Sequence, residues 1–248
     1  MLLDKEVAVI YGGGPISGAV GGAFAREGAR VFLAGRSAEK LAAIGAEIRS
    51  RGGAVDTSVV DALNERAVDE FVDTVVHRAG TVDISCNLIA VGDVQRPLQA
   101  ISVDDFLQPI VTAMRSHFLT TRAAARHMVA RGSGVILTFG GGGPQTVPGM
   151  GGFKIALDAL EALRRQWAVE LGPHGIRVVT IKTGGIPETL PQAFPGRDQI
   201  VAGLQHAALL PWTATLNDVG TVAAFVASDQ ARTITAADVN ISAGAIVD

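Results

Sequence analysis

The 248-residue chain holds one cysteine, one tyrosine and two tryptophans. The lone Cys86 excludes an intrachain disulfide and fits a reducing compartment. It lies in the strand-like run VDISCNLI, where a thiol reads as a small core residue. Aromatics make up 5% of the chain, so the core must be built mainly from Ala, Val, Leu and Ile. Charge is sparse too, at 18% of residues with a net −3. That balance gives no basis for binding nucleic acid or an anionic membrane. With 48% hydrophobic residues it also excludes disorder. No uninterrupted apolar run is long enough to cross a bilayer. The start MLLDKEVAVIYGGG lacks the basic region, apolar run and cleavage site of a signal peptide. The expectation is a single cytoplasmic domain, residues 1–248, acting on a small molecule.

What is abundant is glycine, 30 residues, and an alternation of short β-branched runs with longer helical patterns. EVAVIY, ARVFLAG, GAVDTSVV, TVDISCNL, GVILTFG, IRVVTIK and ADVNIS read as strands. Five helical patterns fall between them: SGAVGGAFAREG, SAEKLAAIGAEIRSRG, LNERAVDEFVDTVVHRAG, the long run from Val103 to Gly132, and FKIALDALEALRRQWAVELG. Most stop at glycine. The alternation predicts an α/β fold, a doubly wound Rossmann-type parallel sheet with helices on both faces. Residues 183–217 break the rhythm. They carry Pro187, Pro191, Pro195 and Pro211 and read as a substrate loop or lid with one short helix.

Between the first strand and first helix lies GGGPISG. Here Gly12, Gly14 and Gly18, with the backbone of Ile16 and Ser17, let a pyrophosphate approach a helix N-terminus without meeting a Cβ. The second strand ends AGRS. An NAD binder carries an acidic residue there, whereas Gly35 and Arg36 suit the 2′-phosphate of NADP. NADP(H) is therefore favoured over NAD(H). The alternative for Arg36 is an exposed arginine capping a turn.

Taken in order, these features resemble the short-chain dehydrogenase/reductase family over essentially the whole chain. The glycine loop is followed by Asp61 after the third strand and by DISCNLIA where the family has its Asn-Asn-Ala-Gly strand end. Then come the lysine helix KIALDALEALRRQWAVELGPHGIRV and TGGI in place of a Pro-Gly turn. The resemblance implies a seven-stranded sheet, a nicotinamide cofactor and a homotetramer or dimer. It also implies that Asp61 reaches the adenine, that Asn87 and Ala90 line the adenosine ribose, and that Gly184 and Ile186 meet the nicotinamide.

The family's chemistry uses Ser, Tyr, Lys and Asn. Lys154 matches the lysine. Four residues earlier, at the tyrosine's place, stands Met150. The serine region LTFGGGG offers Gly140 or its neighbours, with Thr138 as the close hydroxyl. The asparagine falls at about Ala113. MGGFK is similar to the enoyl-thioester reductases, whose tyrosine lies seven residues before the lysine, but that position is Val147. The single tyrosine, Tyr11, ends the first strand.

Three readings follow. The first is a reductase of a C=N, activated C=C or C=O group that needs little acid assistance, with Lys154 supplying charge. The second is a reductase with relocated acid–base groups, for which His117, one helical turn after Ala113, and Gln145, Thr146, Glu188 and Thr189 are candidates. The third is a cofactor-binding pseudoenzyme, regulatory subunit or non-redox enzyme on the same scaffold. Lys154 also has a plainer reading, as part of a solvated stripe with Asp158, Glu161 and Arg165.

Overall fold

The computed structural model describes residues 1–92, 94–140, 143 and 145–247. Seven parallel strands form one sheet: β1 (Val7–Tyr11), β2 (Arg30–Gly35), β3 (Val55–Val59), β4 (Ile84–Asn87), β5 (Gly134–Phe139), β6 (Ile176–Lys182) and β7 (Ala237–Asn240). Their order is β3-β2-β1-β4-β5-β6-β7. Burial explains the sequence of each. Every residue of β1 (VAVIY) is buried, as a central parallel strand covered on both faces requires. At the edge, β3 (VDTSV) carries Asp and Ser among its apolar residues and is partly exposed.

Helices α1 (Pro15–Arg26), α2 (Ala38–Ser50), α3 (Glu65–Ala79), α4 (Val103–Arg131), α5 (Phe153–Leu171), α6 (Arg197–Ala207) and α7 (Leu216–Ala227) complete the fold. Their starts are written in the sequence. Ser37, Asn64 and Ser102 each accept a backbone N–H as N-caps, and Thr215 with Asp218 forms a capping box. Gly80 and Gly132 end α3 and α4 in the left-handed conformation. One apolar layer joins α1, α2 and α7 to the sheet, and another joins α3, α4 and α5 to its other face.

The excursion at 183–217 holds a single 3-10 turn, Pro187–Thr189, and one helix, α6. The helix α7 that follows is absent from the helical patterns read in the sequence. It packs on α1, where a Cβ on Gly220 would sit 2.7 Å from the carbonyl oxygen of Ala19. The glycine allows this close approach, and it also interrupts the apolar periodicity that would announce the helix.

Candidate functional site

In an open α/β sheet, ligands bind beyond the C-terminal strand ends, where the strand order reverses. Here that point lies between β1 and β4. The N–H of Leu88 donates to the Tyr11 carbonyl at 2.8 Å, joining the two strand exits. Gly12 lies in this junction with φ +140°. A Cβ on it would collide with Ser17 Oγ and stand 2.8 Å from the Leu88 carbonyl oxygen. Only glycine satisfies both demands.

Beyond Gly12 the chain opens. A Cβ on Gly14 would meet nothing within 4 Å, and α1 begins there without a side-chain cap. Ser17 is buried, and its hydroxyl has no hydrogen-bond partner among the described residues. An uncapped helix start, an unpartnered hydroxyl and a cradle that a side chain would fill together fit a dinucleotide pyrophosphate. Gly18 stays within the first turn, its N–H bound to the Gly14 carbonyl at 3.1 Å. Arg36 is exposed directly after β2, beside the Ser37 cap. A cleft of about 1020 Å³ reaches this region past Gly13, Gly14 and Lys40. It is lined by α1 and α2 together with Glu188, Leu216 and Asn217.

The remaining expected cofactor positions also follow strand ends. Asp61, after β3, is exposed and accepts the Leu63 N–H at 3.0 Å, which leaves its second oxygen outward. Asn87 turns inward. Its amide donates to Thr120 Oγ1 at 3.1 Å and its oxygen accepts the Ile89 N–H at 3.1 Å. It therefore shapes the β4 exit with one amide N–H and one oxygen lone pair still uncounted in these two bonds, while Ala90 is exposed beyond it. Gly184 lies against the C-terminal segment, where a Cβ would be 2.6 Å from Ala245 Cβ. The carbonyl of Ile186 already accepts both the N–H and the hydroxyl of Thr189, at 3.0 and 2.7 Å. Its N–H makes no such bond among the described residues.

The substrate-side groups divide differently. Lys154 sits in the first turn of α5 and pairs with Asp158. Gly140, at the family's serine position, packs against the next residues of that turn, since a Cβ there would stand 3.2 Å from Leu157. Thr138 is buried and shares a 2.8 Å hydrogen bond with Thr180 inside the sheet. Gly141, Gly142 and Pro144 lie outside the described residues.

His117 is fully enclosed. Its Nδ1 is 3.0 Å from the Ala113 carbonyl oxygen, so that nitrogen carries the proton, and Nε2 has no partner among the described residues. Burial pushes its pKa down to about 4, opposed in part by the Ala113 bond. At neutral pH the ring is uncharged, with its one N–H committed to backbone. Tyr11 is equally enclosed, edge-on to Phe71 with ring centroids 5.6 Å apart, and its phenol pKa is raised by burial and by Asp69.

Of the four loop candidates, three are held. Gln145 donates to the Val247 carbonyl at 3.4 Å, Glu188 accepts the Leu216 N–H, and Thr189 bonds Ile186. Glu188 is thus more than a solvated carboxylate, because it receives the N–H at the start of α7. Thr146 makes no such bond.

The stripe along α5 is not uniformly solvated either. Lys154 and Asp158 do pair at i,i+4. Glu161, by contrast, is buried, and Arg164 bridges it to Asp238 of β7 at 2.7 and 2.9 Å. Lys182 of β6 lies 3.3 Å from the other Asp238 oxygen. Burial, and a hydrogen bond to Asp238, raise the Glu161 pKa. Asp238 moves the other way. Its burial alone would raise it, but hydrogen bonding to Glu161 and the charges of Arg164 and Lys182 bring it down.

Sheet order, switch point and glycine cradle define the class, a Rossmann-type doubly wound α/β protein. Residues 15–245 match the family described as enoyl-(acyl carrier protein) reductase. An uncharacterized oxidoreductase of Bacillus subtilis is 28% identical over 98% of this chain and 91% of its own length. Among solved structures, a short-chain type dehydrogenase/reductase from Mycobacterium ulcerans superposes with a TM-score of 0.91 at 22% identity, covering 99% of this chain and 91% of its own. NAD+-bound xylitol dehydrogenase does so with 0.89 at 24%, covering 98% and 100%. The chain belongs to the short-chain dehydrogenase/reductase family and is an oxidoreductase of that type. Among the described residues, no helix is long and apolar enough to cross a membrane, and no cluster of three His, Cys, Asp or Glu could hold a metal.

Proposed function

We propose that this chain is an NADP(H)-dependent reductase of activated C=C, C=N or C=O groups that works without the family's tyrosine and serine. The observation that carries the reading is the absence of a tyrosine or serine hydroxyl at the family's positions near Lys154. Met150 and Gly140 occupy the tyrosine and serine positions, and the chain's one tyrosine has its ring packed on Phe71 in the core. The cofactor expected is a nicotinamide dinucleotide, which supplies the hydride. It would be held by Gly12, Gly14, Ile16, Ser17 and Gly18 at its pyrophosphate, with Asp61 and Ala90 at its adenosine end. Arg36 favours NADP(H), because an exposed guanidinium after β2 recognises a 2′-phosphate bidentately. The related fold of xylitol dehydrogenase holds NAD+.

General acid catalysis contributes roughly 10²- to 10⁴-fold to such reductions. A substrate that develops little negative charge, such as a protonated imine, or one that spreads it, such as an alkene conjugated to an acceptor group, loses least when that acid is missing. Lys154, freed from Asp158, supplies positive charge near the developing anion. Its proton is not needed, because water can protonate an enolate. His117, neutral and committed to Ala113, holds the helix position and does not donate. Leu107, Val111 and Phe118 of α4 and Ile155 and Val169 of α5 are exposed, which supports the expected homo-oligomer. Residues 183–217 act as the substrate lid.

The test is a fluorescence titration with NADPH and NADH, followed by NADPH consumption with imines, activated alkenes and simple ketones. We expect NADPH to bind more tightly than NADH and turnover with the first two substrate classes. Failure of both cofactors to bind, or ketone turnover as fast as with the activated substrates, overturns the reading.

A further inference from the structure

In the sheet, β5 lies between β4 and β6, so its exit stands between the strand ends from which Asn87 and Ile186 are expected to meet the cofactor. Gly140 is the first residue beyond that exit, with φ +119°. A Cβ there would stand 3.2 Å from Leu157 Cδ2 of α5. Phe153, one helical turn before Leu157, packs against the small cluster of Val91, Ala113, Ala156 and Leu160. The start of α5 is fixed in this pose, because a Cβ on Gly152 would collide with the Phe106 carbonyl of α4. The family's serine place, Gly140, thus meets α5 at Leu157, and its asparagine place, Ala113, lies in the cluster that holds Phe153.

None of Ala113, Gly140, Phe153 and Leu157 carries a charge or a proton to give. The polar groups beside them are committed. Thr138, two residues before Gly140, shares its hydroxyl with Thr180. His117, a turn after Ala113, has its N–H on the Ala113 carbonyl, and Lys154 pairs with Asp158. Hydride addition to a neutral carbonyl or alkene leaves a negative charge on the substrate and a positive one on the nicotinamide. In apolar surroundings that separation is costly unless a proton or a cation meets the anion. Addition to an iminium ion differs. A C–H bond forms at carbon, the C=N π pair returns to nitrogen as a lone pair, and the positive charge passes from substrate to nicotinamide. No charge is created and no proton is consumed.

We infer that the substrate is an iminium ion, a C=N group already cationic when it binds, and that Phe153 and Leu157 select it over neutral carbonyls. This rests on the reductase reading and narrows its substrate class. The Phe153 ring supplies attraction for such a cation. With this substrate no anion develops, and Lys154 need not leave Asp158.

The permanent cation N-methyl-3,4-dihydroisoquinolinium, with 1-tetralone as its neutral counterpart, tests this. Equilibrium dialysis against the cofactor-free protein comes first, then NADPH consumption corrected for the rate without protein. We expect Phe153→Leu to weaken the cation about three- to tenfold and Leu157→Lys at least roughly tenfold, with smaller losses for tetralone. With NADPH, the cation should turn over at least roughly 10²-fold faster than tetralone. Phe153→Tyr, a conservative change that adds one phenol, should narrow that ratio at least roughly tenfold. Tetralone turnover as fast as that of the cation, no turnover of the cation by protein that binds NADPH, or an unaltered ratio in Phe153→Tyr overturns the inference. So do equal losses of cation and tetralone in the dialysis of both variants. Failure to bind either NADPH or NADH sinks the reductase reading instead, and the dialysis still decides whether Phe153 and Leu157 discriminate a cation.

Discussion

The two halves of the sheet's C-terminal edge are built on opposite principles. Around β1 and β4 the backbone is committed and side chains are kept out. Gly12 has space for no Cβ, and Ser17 holds a hydroxyl in reserve. Around β5, β6 and β7 polar side chains such as Thr138, Gln145 and Thr189 are committed to one another or to backbone carbonyls, and apolar ones such as Leu209 and Trp212 are exposed. The first arrangement suits one invariant ligand part. The second suits a substrate recognised by shape. A scaffold can therefore keep its cofactor grip while its chemistry drifts, because the two sets of residues share few contacts.

The most severe way to break this contrast is Gly12→Ala. The new Cβ meets Ser17 and the Leu88 carbonyl at an unfavourable φ. Strain and overpacking together should cost about 4 kcal/mol of stability and abolish dinucleotide binding. Chemical denaturation and NADPH titration check both. A variant as stable as the parent would mean that the cradle is looser than its geometry.

On the other half, the buried His117 should make stability depend on pH. Its folded pKa, about 4, lies below its ordinary 6.5. The neutral ring therefore contributes fully above about pH 6.5, and this contribution is lost as pH falls towards 4, roughly 3 kcal/mol in all. His117→Leu should flatten that part of the profile, as followed by denaturant midpoints at several pH values.

Arg36→Ala should weaken NADPH roughly 10- to 100-fold and leave NADH nearly unchanged, the worth of a charge-assisted contact of about 1.5–3 kcal/mol. Equal losses for both would remove the 2′-phosphate assignment. The smallest effect separates two roles of one lysine. Lys154→Ala should weaken NADPH several-fold, while Asp158→Asn, which deletes only an i,i+4 pair on an exposed surface, should shift stability by less than about 0.5 kcal/mol. Equal cofactor affinity in Lys154→Ala and the parent would return Lys154 to an ordinary surface role.

Most of the fold was legible because parallel strands buried on both faces leave unmistakable apolar runs, as in VAVIY and RVFLAG. The glycine loop was legible for a local reason, since its positions are fixed by backbone geometry. Helix α7 was missed because its sequence, LNDVGTVAAFVA, is apolar nearly all round and carries Gly220 at its contact with α1. The site was legible only as far as it is local. That Glu161 is buried depends on Asp238, far along the chain. That Gln145 is committed depends on the Val247 carbonyl, and spacing could not announce it.

The Glu161–Arg164–Asp238–Lys182 group has a mechanical meaning as well. Helix α5 is keyed to β6 and β7, much as a shaft is keyed to its hub. Rotating or sliding it would drag a guanidinium and a carboxyl out of register into the apolar layer beneath. The key lies two turns beyond Lys154, so the lysine's height over the strand ends is set at a distance, by parts that touch neither cofactor nor substrate. Substrate loops on either side can vary in length or composition without moving it.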